Sequence, residues 1–172
     1  MKSEAITQAI HTKLQAYARD NKGRASVARD PFDVMEVLWA GPEGFLIVLH
    51  EAGDDPEDMG LSESDADSIP NPIRDRMEVT VGYGLGLDVN RDWRLIAGKG
   101  NRPGLLGHVR AVRAQMLALV FPDDEEQFRR LRYDGREAVT TPEGVPLAAY
   151  RMKFSLVETL EVAEDIVVEE AE

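Results

Sequence analysis

Three histidines, His11, His50 and His108, are the side chains here best suited to moving protons or holding a metal. None has a second ligand at a local metal-binding spacing such as His-Glu-x-x-His. His11 and His108 fall on helical patterns, and His50 ends an apolar run. Each reads as a surface or rim residue, although distant ligands can still converge in a fold. No serine stands in a nucleophile-elbow pattern. The chain has no cysteine, which excludes disulfides, thiolate metal sites and cysteine nucleophiles.

The glycine-rich segments do not read as phosphate cradles. Gly82-Tyr83-Gly84-Leu85-Gly86 has Leu87 where a dinucleotide fingerprint needs its third glycine, and it lies inside a strand pattern. Gly98-Lys99-Gly100 lacks the hydroxyl residue that follows a P-loop lysine. Asp54, Asp55, Glu57 and Asp58 precede Gly60, but the acids miss the offsets of a twelve-residue calcium loop and read as a solvated segment. Carboxylate pairs for glycoside hydrolysis abound without any pair standing out. Only Trp39 and Trp93 could form a sugar platform. These readings point away from an enzyme and imply no metal and no cofactor.

Charge is distributed unevenly. Eight acids fall between Glu51 and Asp67, and Glu161, Glu164, Asp165, Glu169, Glu170 and Glu172 crowd the C-terminus. Arg129, Arg130 and Arg132 form a basic cluster, with Arg110, Arg113 and Arg136 nearby in sequence and Asp123, Asp124, Glu125 and Glu126 just before it. Local salt bridging is one reading. The other is a basic patch that meets an acidic patch on an identical subunit, as in a head-to-tail ring, where two different surfaces join.

The elements that must position these residues follow from periodicity. Ile6, Ile10, Leu14 and Tyr17 predict a helix from Ser3 to about Asp20, ended by Asn21-Lys22-Gly23. Ala25 to Ala40 fits either a short helix or an irregular strand. Phe45 to His50 is nearly all apolar, as in a central strand covered on both faces. Residues 51–73 read as a long acidic loop. Met77 to Leu87 alternates, with Gly82, Gly84 and Gly86 leaving one face open to close approach by a backbone or partner. Leu105 to Val120 predicts a second helix, stopped by Pro122, with His108, Arg110, Arg113 and Gln115 outward. A meander follows: a strand from Phe128 to Tyr133, a turn at Asp134-Gly135, a returning strand to Thr140, and an alternating strand around Ala148–Leu156.

The 172 residues suit one domain, 1–160, followed by an acidic tail, 161–172. The economical fold is α+β: one mixed or antiparallel sheet, two helices on one face, a long acidic loop and a C-terminal arm. A net charge of −12 makes general nucleic-acid binding unfavourable. Arginine outnumbers lysine 15 to 5, which fits either a GC-rich genome or a protein interface. No apolar run approaches a membrane span, and Met1-Lys2-Ser3-Glu4 opens no signal core, so the cytoplasm of the producing cell is expected.

This layout resembles the tail terminators of long-tailed bacteriophages. The resemblance is carried by the Glu4–Ile10 helix, the Met77–Leu87 strand, the Leu105–Val112 helix and the stretch from Tyr133-Asp134-Gly135 through Leu147–Leu156. It covers most of the chain as pattern and order, and the 51–73 segment departs from it. It implies a structural virion protein at the tail–neck junction: a ring, six copies in the usual case, that caps the tail tube, stops its growth and offers a surface to the head–tail connector. Partners would be further copies of the chain, the tube protein and the connector, with DNA only passing through the lumen. Other readings are a connector or tube subunit, a small metal-dependent hydrolase using the 51–67 acids, and a regulatory domain that binds a host protein.

Overall fold

The computed structural model describes residues 3–39, 45–56, 72–84, 98, 103–122, 128–140 and 147–159. Helix α1 spans Ser3–Asp20, strand β1 Arg24–Ala28 and helix α2 Pro31–Trp39. Strands β2 (Phe45–Pro56) and β3 (Pro72–Gly84) follow, then helix α3 (Leu105–Leu117). The short β4 (Phe121–Pro122) pairs with β5 (Phe128–Arg129), and β6 (Arg132–Ala138) and β7 (Leu147–Thr159) complete the order. The main sheet runs β1-β2-β3-β7-β6, parallel between β1 and β2 and antiparallel elsewhere. This is the expected α+β class.

Alternation divides the sheet's faces. Phe45, Ile47 and Leu49 of β2, Met77, Val79 and Val81 of β3, and Met152, Phe154 and Leu156 of β7 share one core. The stripe Ile6, Ile10, Leu14 of α1 and Leu105, Val109, Val112, Met116 of α3 close it, so two helices cover this face as expected. A third helix, one of the two alternatives for the 25–40 segment, was not counted in the expected fold. Helix α2 lies on the opposite face, where Val34 and Leu38 bury with Leu46, Val48, Ala28 and Leu147. Its N-terminus is locally encoded: Asp30 Oδ1 accepts the Asp33 amide at 2.9 Å, and Asp33 Oδ2 accepts the Arg29 amide at 3.0 Å. With Pro31 in the first helical position, this is a reciprocal cap. The Arg29 amide, foremost, holds the Asp33 carboxyl below the usual carboxylate range.

The α1–β1 connection shows why Gly23 is glycine. The Gly23 amide donates to Ala18 O at 2.8 Å and the Lys22 amide to Arg19 O at 3.1 Å, a Schellman arrangement. The left-handed residue in it is Lys22, with φ 60°. Gly23 is required for space, because a Cβ there would stand 2.4 Å from the Phe45 ring and carbonyl.

Several expectations need correction. Residues 51–56 are not loop: β2 continues to Pro56 past a bulge at Glu51/Gly53, where Gly53 has φ 100°. Asp134-Gly135 does not turn a hairpin. Strand β6 runs straight through it, with a bulge between Tyr133 and Gly135 and φ 128° at Gly135, and pairs with β7 along its length. The expected strand Phe128–Tyr133 is broken, since Phe128–Arg129 pairs with β4 instead. The second helix ends at Leu117, before Pro122 can act. Residues 57–71, 85–87 and 161–172 lie outside the described residues.

Candidate functional site

Of the basic side chains singled out by sequence, Arg113 on α3 reaches across to β6, and Arg132 and Arg136 lie on β6 itself. Arg110 is exposed on α3. One turn on, half-buried Arg113 places its guanidinium carbon 5.4 Å from the centre of the Tyr133 ring on β6, and Tyr133 in turn packs on Phe154 at 5.5 Å. Arg136 covers Tyr150 in the same way at 5.2 Å. Each such contact contributes about 0.5–1 kcal/mol and keeps the charge at the surface. Arg132 Nε lies 3.3 Å from Asp134 Oδ1, and Arg130 is exposed. Arg129 is placed only through its backbone, opposite Phe121. Two of these arginines, Arg113 and Arg136, are therefore seated on aromatic rings near this edge of the sheet.

The acids and glycines are placed differently. Asp54 and Asp55 lie on β2 opposite Asp75 and Arg74, while Glu57, Asp58 and Gly86 lie outside the described residues. Gly84 pairs with Leu147 at the end of β3. Gly82 is buried, and a Cβ there would meet Leu38 at 3.0 Å and Leu147 at 3.4 Å. The close approach expected at the glycine face is made from within the chain, by α2.

Two of the three histidines depart from expectation. His108 is not on the outer face of α3: it is 2% exposed. Its ring stacks on Phe45 at 3.9 Å and 9°, with Tyr17 and Tyr83 rings at 6.0 and 5.7 Å. Its Nδ1 lies 3.1 Å from Tyr17 Oη. Burial lowers the His108 pKa to about 4 and raises that of Tyr17, so a neutral imidazole and a neutral phenol share one hydrogen bond, whose direction follows the imidazole tautomer. This is a core polar pair enclosed by aromatics.

His50 does not end its strand; it sits within β2, 7% exposed, on the α2 face. It begins a row that sequence reasoning missed. His50 Nδ1 is 3.7 Å from Glu78 Oε2, and Arg151 Nε is 3.4 Å from the same oxygen. Arg151 Nη1 reaches Glu137 Oε1 at 3.7 Å, and Lys153 Nζ donates to Glu137 Oε2 at 3.3 Å. Four strands each supply a member through their register. The only sequence signal was polar residues at alternate positions of β3 and β7. Glu78 and Glu137 balance Arg151 and Lys153, so the row neutralises itself. His50 and Glu78 are the pair best placed for acid–base work, but 3.7 Å exceeds hydrogen-bonding distance and Arg151 engages the same carboxylate.

Among the described residues no three metal-ligating side chains group together, and no helix is long and apolar enough to cross a membrane. No family model matches the chain, and no curated protein matches it.

Proposed function

We propose that this chain is a structural subunit of a long-tailed phage particle, forming a ring at the head-proximal end of the tail tube. The ring would cover the surface to which the next tube ring adds, end polymerisation and present a new face to the head–tail connector. The observation that carries this reading is the division of charge along the chain: arginines of α3 and β6, two of them seated on aromatic rings, against acids that concentrate in the sequence at 51–67 and 161–172. Two unlike surfaces on one subunit suit heterologous contacts that close into a ring. The order of helices and strands supports the same reading. In a ring of so acidic a chain, DNA passes a lumen with little affinity for phosphate.

Light scattering on the purified protein, alone and added to polymerising tube subunits, tests this. A single ring, or a monomer that assembles on tube ends and limits tube length, is expected. Self-assembly into filaments would identify a tube subunit, and no effect on tube length would overturn the proposal.

A further inference from the structure

Strand β1 forms one edge of the sheet, and among the described residues no strand pairs with its outer side. Such an edge presents unpaired amides and carbonyls ready to accept another strand. Its side chains add to this: Val27 is 45% exposed, and Phe32, just beyond the end of β1, is 84% exposed. Arg24 and Arg29, also exposed, bracket Val27.

The same chain carries a segment of matching chemistry. Residues 164–170 read Glu-Asp-Ile-Val-Val-Glu-Glu, three β-branched residues between pairs of acids. Laid antiparallel to β1 with Val167 opposite Val27, this segment sets Asp165 opposite Arg29 and Glu170 opposite Arg24. One register satisfies the apolar centre and both charged ends.

We infer that the Ile166-Val167-Val168 segment adds as a strand to the β1 edge of a second copy of the chain. This deepens the ring reading and rests on its self-association, though not on the phage tail. A neighbouring copy is required because of reach. Ala28 is level with His50, Glu78 and Lys153 across the sheet, and Thr159 lies six residues beyond Lys153 on β7. At ~3.3 Å per residue and ~4.8 Å per strand spacing, Thr159 is about 28 Å from a position outside Ala28. The seven residues from Thr159 to Ile166 span about 25 Å at full stretch, without detouring round the strand ends. A chain cannot serve its own β1, so arms exchange between neighbours, as in strand addition generally.

The absence of cysteine makes the test clean. Full-length chains carrying Val27→Cys are mixed with chains carrying Val167→Cys and oxidised. A covalent product at twice the 19.1 kDa chain mass is expected, and adding Arg24→Glu and Arg29→Glu should cut its yield at least tenfold. Pairing Val27→Cys with Glu172→Cys should give little. Assembly by light scattering without any cross-link overturns this inference and leaves the ring standing. A monomer without cross-link overturns this inference, and the ring reading falls with it only if the chain also leaves tube length unchanged. A chain with both cysteines that closes on itself at high dilution, with no dimer, refutes exchange between copies.

Discussion

Below pH 6.5 the His108 cluster should make this protein progressively less stable, and the size of the effect follows from its surroundings. In the fold the imidazole is held at about 4 by burial between Phe45, Tyr17 and Tyr83. In the unfolded chain it titrates near ~6.5. A depressed histidine pKa means that the unfolded state takes up the proton first, so stability is complete above about pH 6.5. It is lost as pH falls from there to about 4, and levels below that, where both states are charged. At ~1.4 kcal/mol per tenfold, the upper limit of the loss is about 3 kcal/mol. Tyr17, which covers one side of the ring, is only half-buried, and solvent screening brings the expected loss to about 2 kcal/mol. Urea unfolding at pH 7.0, 5.5 and 4.5 measures it, with His108→Phe as reference. The variant keeps the stack on Phe45 and cannot titrate. Carboxylate effects, including relief of the net −12 charge, are common to both proteins and cancel in the difference. The gap between wild type and variant should shift by about 2 kcal/mol from pH 7.0 to 4.5. A gap that stays constant with pH refutes the assignment. So does an imidazole proton resonance of His108 that already moves at pH 6.5.

Four further outcomes rest on particular contacts. Tyr17→Phe removes the hydrogen-bond partner of buried His108 Nδ1 and should cost about 1–2 kcal/mol at pH 7, measured by urea midpoint. Lys22→Gly relieves a left-handed lysine in the α1 cap and should raise stability by roughly 0.5–1 kcal/mol, whereas Gly23→Ala drives a methyl into Phe45 and should unfold the protein or lower its melting temperature sharply. Gly82→Ala presses on the end of Leu38 and should cost about 1 kcal/mol, with Gly82→Val several times worse. Glu78→Gln leaves His50 and Arg151 without their shared carboxylate and should cost about 1–2 kcal/mol, part of which returns in the double variant Glu78→Gln/Arg151→Met.

What could be read in the sequence depended on how local its cause was. The stripes of α1 and α3 and the alternation of β3 and β7 are repeated signals, and each burial pattern matches its period. The cap Asp30-Pro31-Phe32-Asp33 was equally local and marks α2 plainly once its roles are assigned, yet mixed apolar spacing at Val34, Val37 and Leu38 obscured it. Asp134-Gly135 failed for the opposite reason. Its local preference is for a turn, but pairing with six residues of β7, from Tyr150 to Ser155, holds β6 extended and converts the glycine into a bulge. His108 shows the limit of helical periodicity. It stands one position before Val109 of the apolar stripe, and only the pocket formed by Phe45, Tyr17 and Tyr83 draws a polar ring inward. The row from His50 to Lys153 joins four strands, so its members are neighbours only once the register is known.

The two edges of the sheet bear on how copies meet. Edge β6 exposes Arg132, Asp134 and Arg136, and edge β1 exposes Arg24, Val27 and Arg29. Joining β6 to β6, or β1 to β1, through a two-fold axis brings arginines of like elements together, which opposes a symmetric dimer at either edge. Joining β1 to β6 directly opposes at most one arginine pair in any register, because Arg24 and Arg29 are five residues apart and Arg132 and Arg136 four. Acidic segments would resolve the conflict, and the sequence supplies six acids between Glu161 and Glu172. In the proposed ring, an arm of that charge crossing to a neighbour's β1 would leave exposed Arg110 and Arg130 to meet a different acidic surface, so each copy would use one contact to close the ring and keep another for the structure stacked against it.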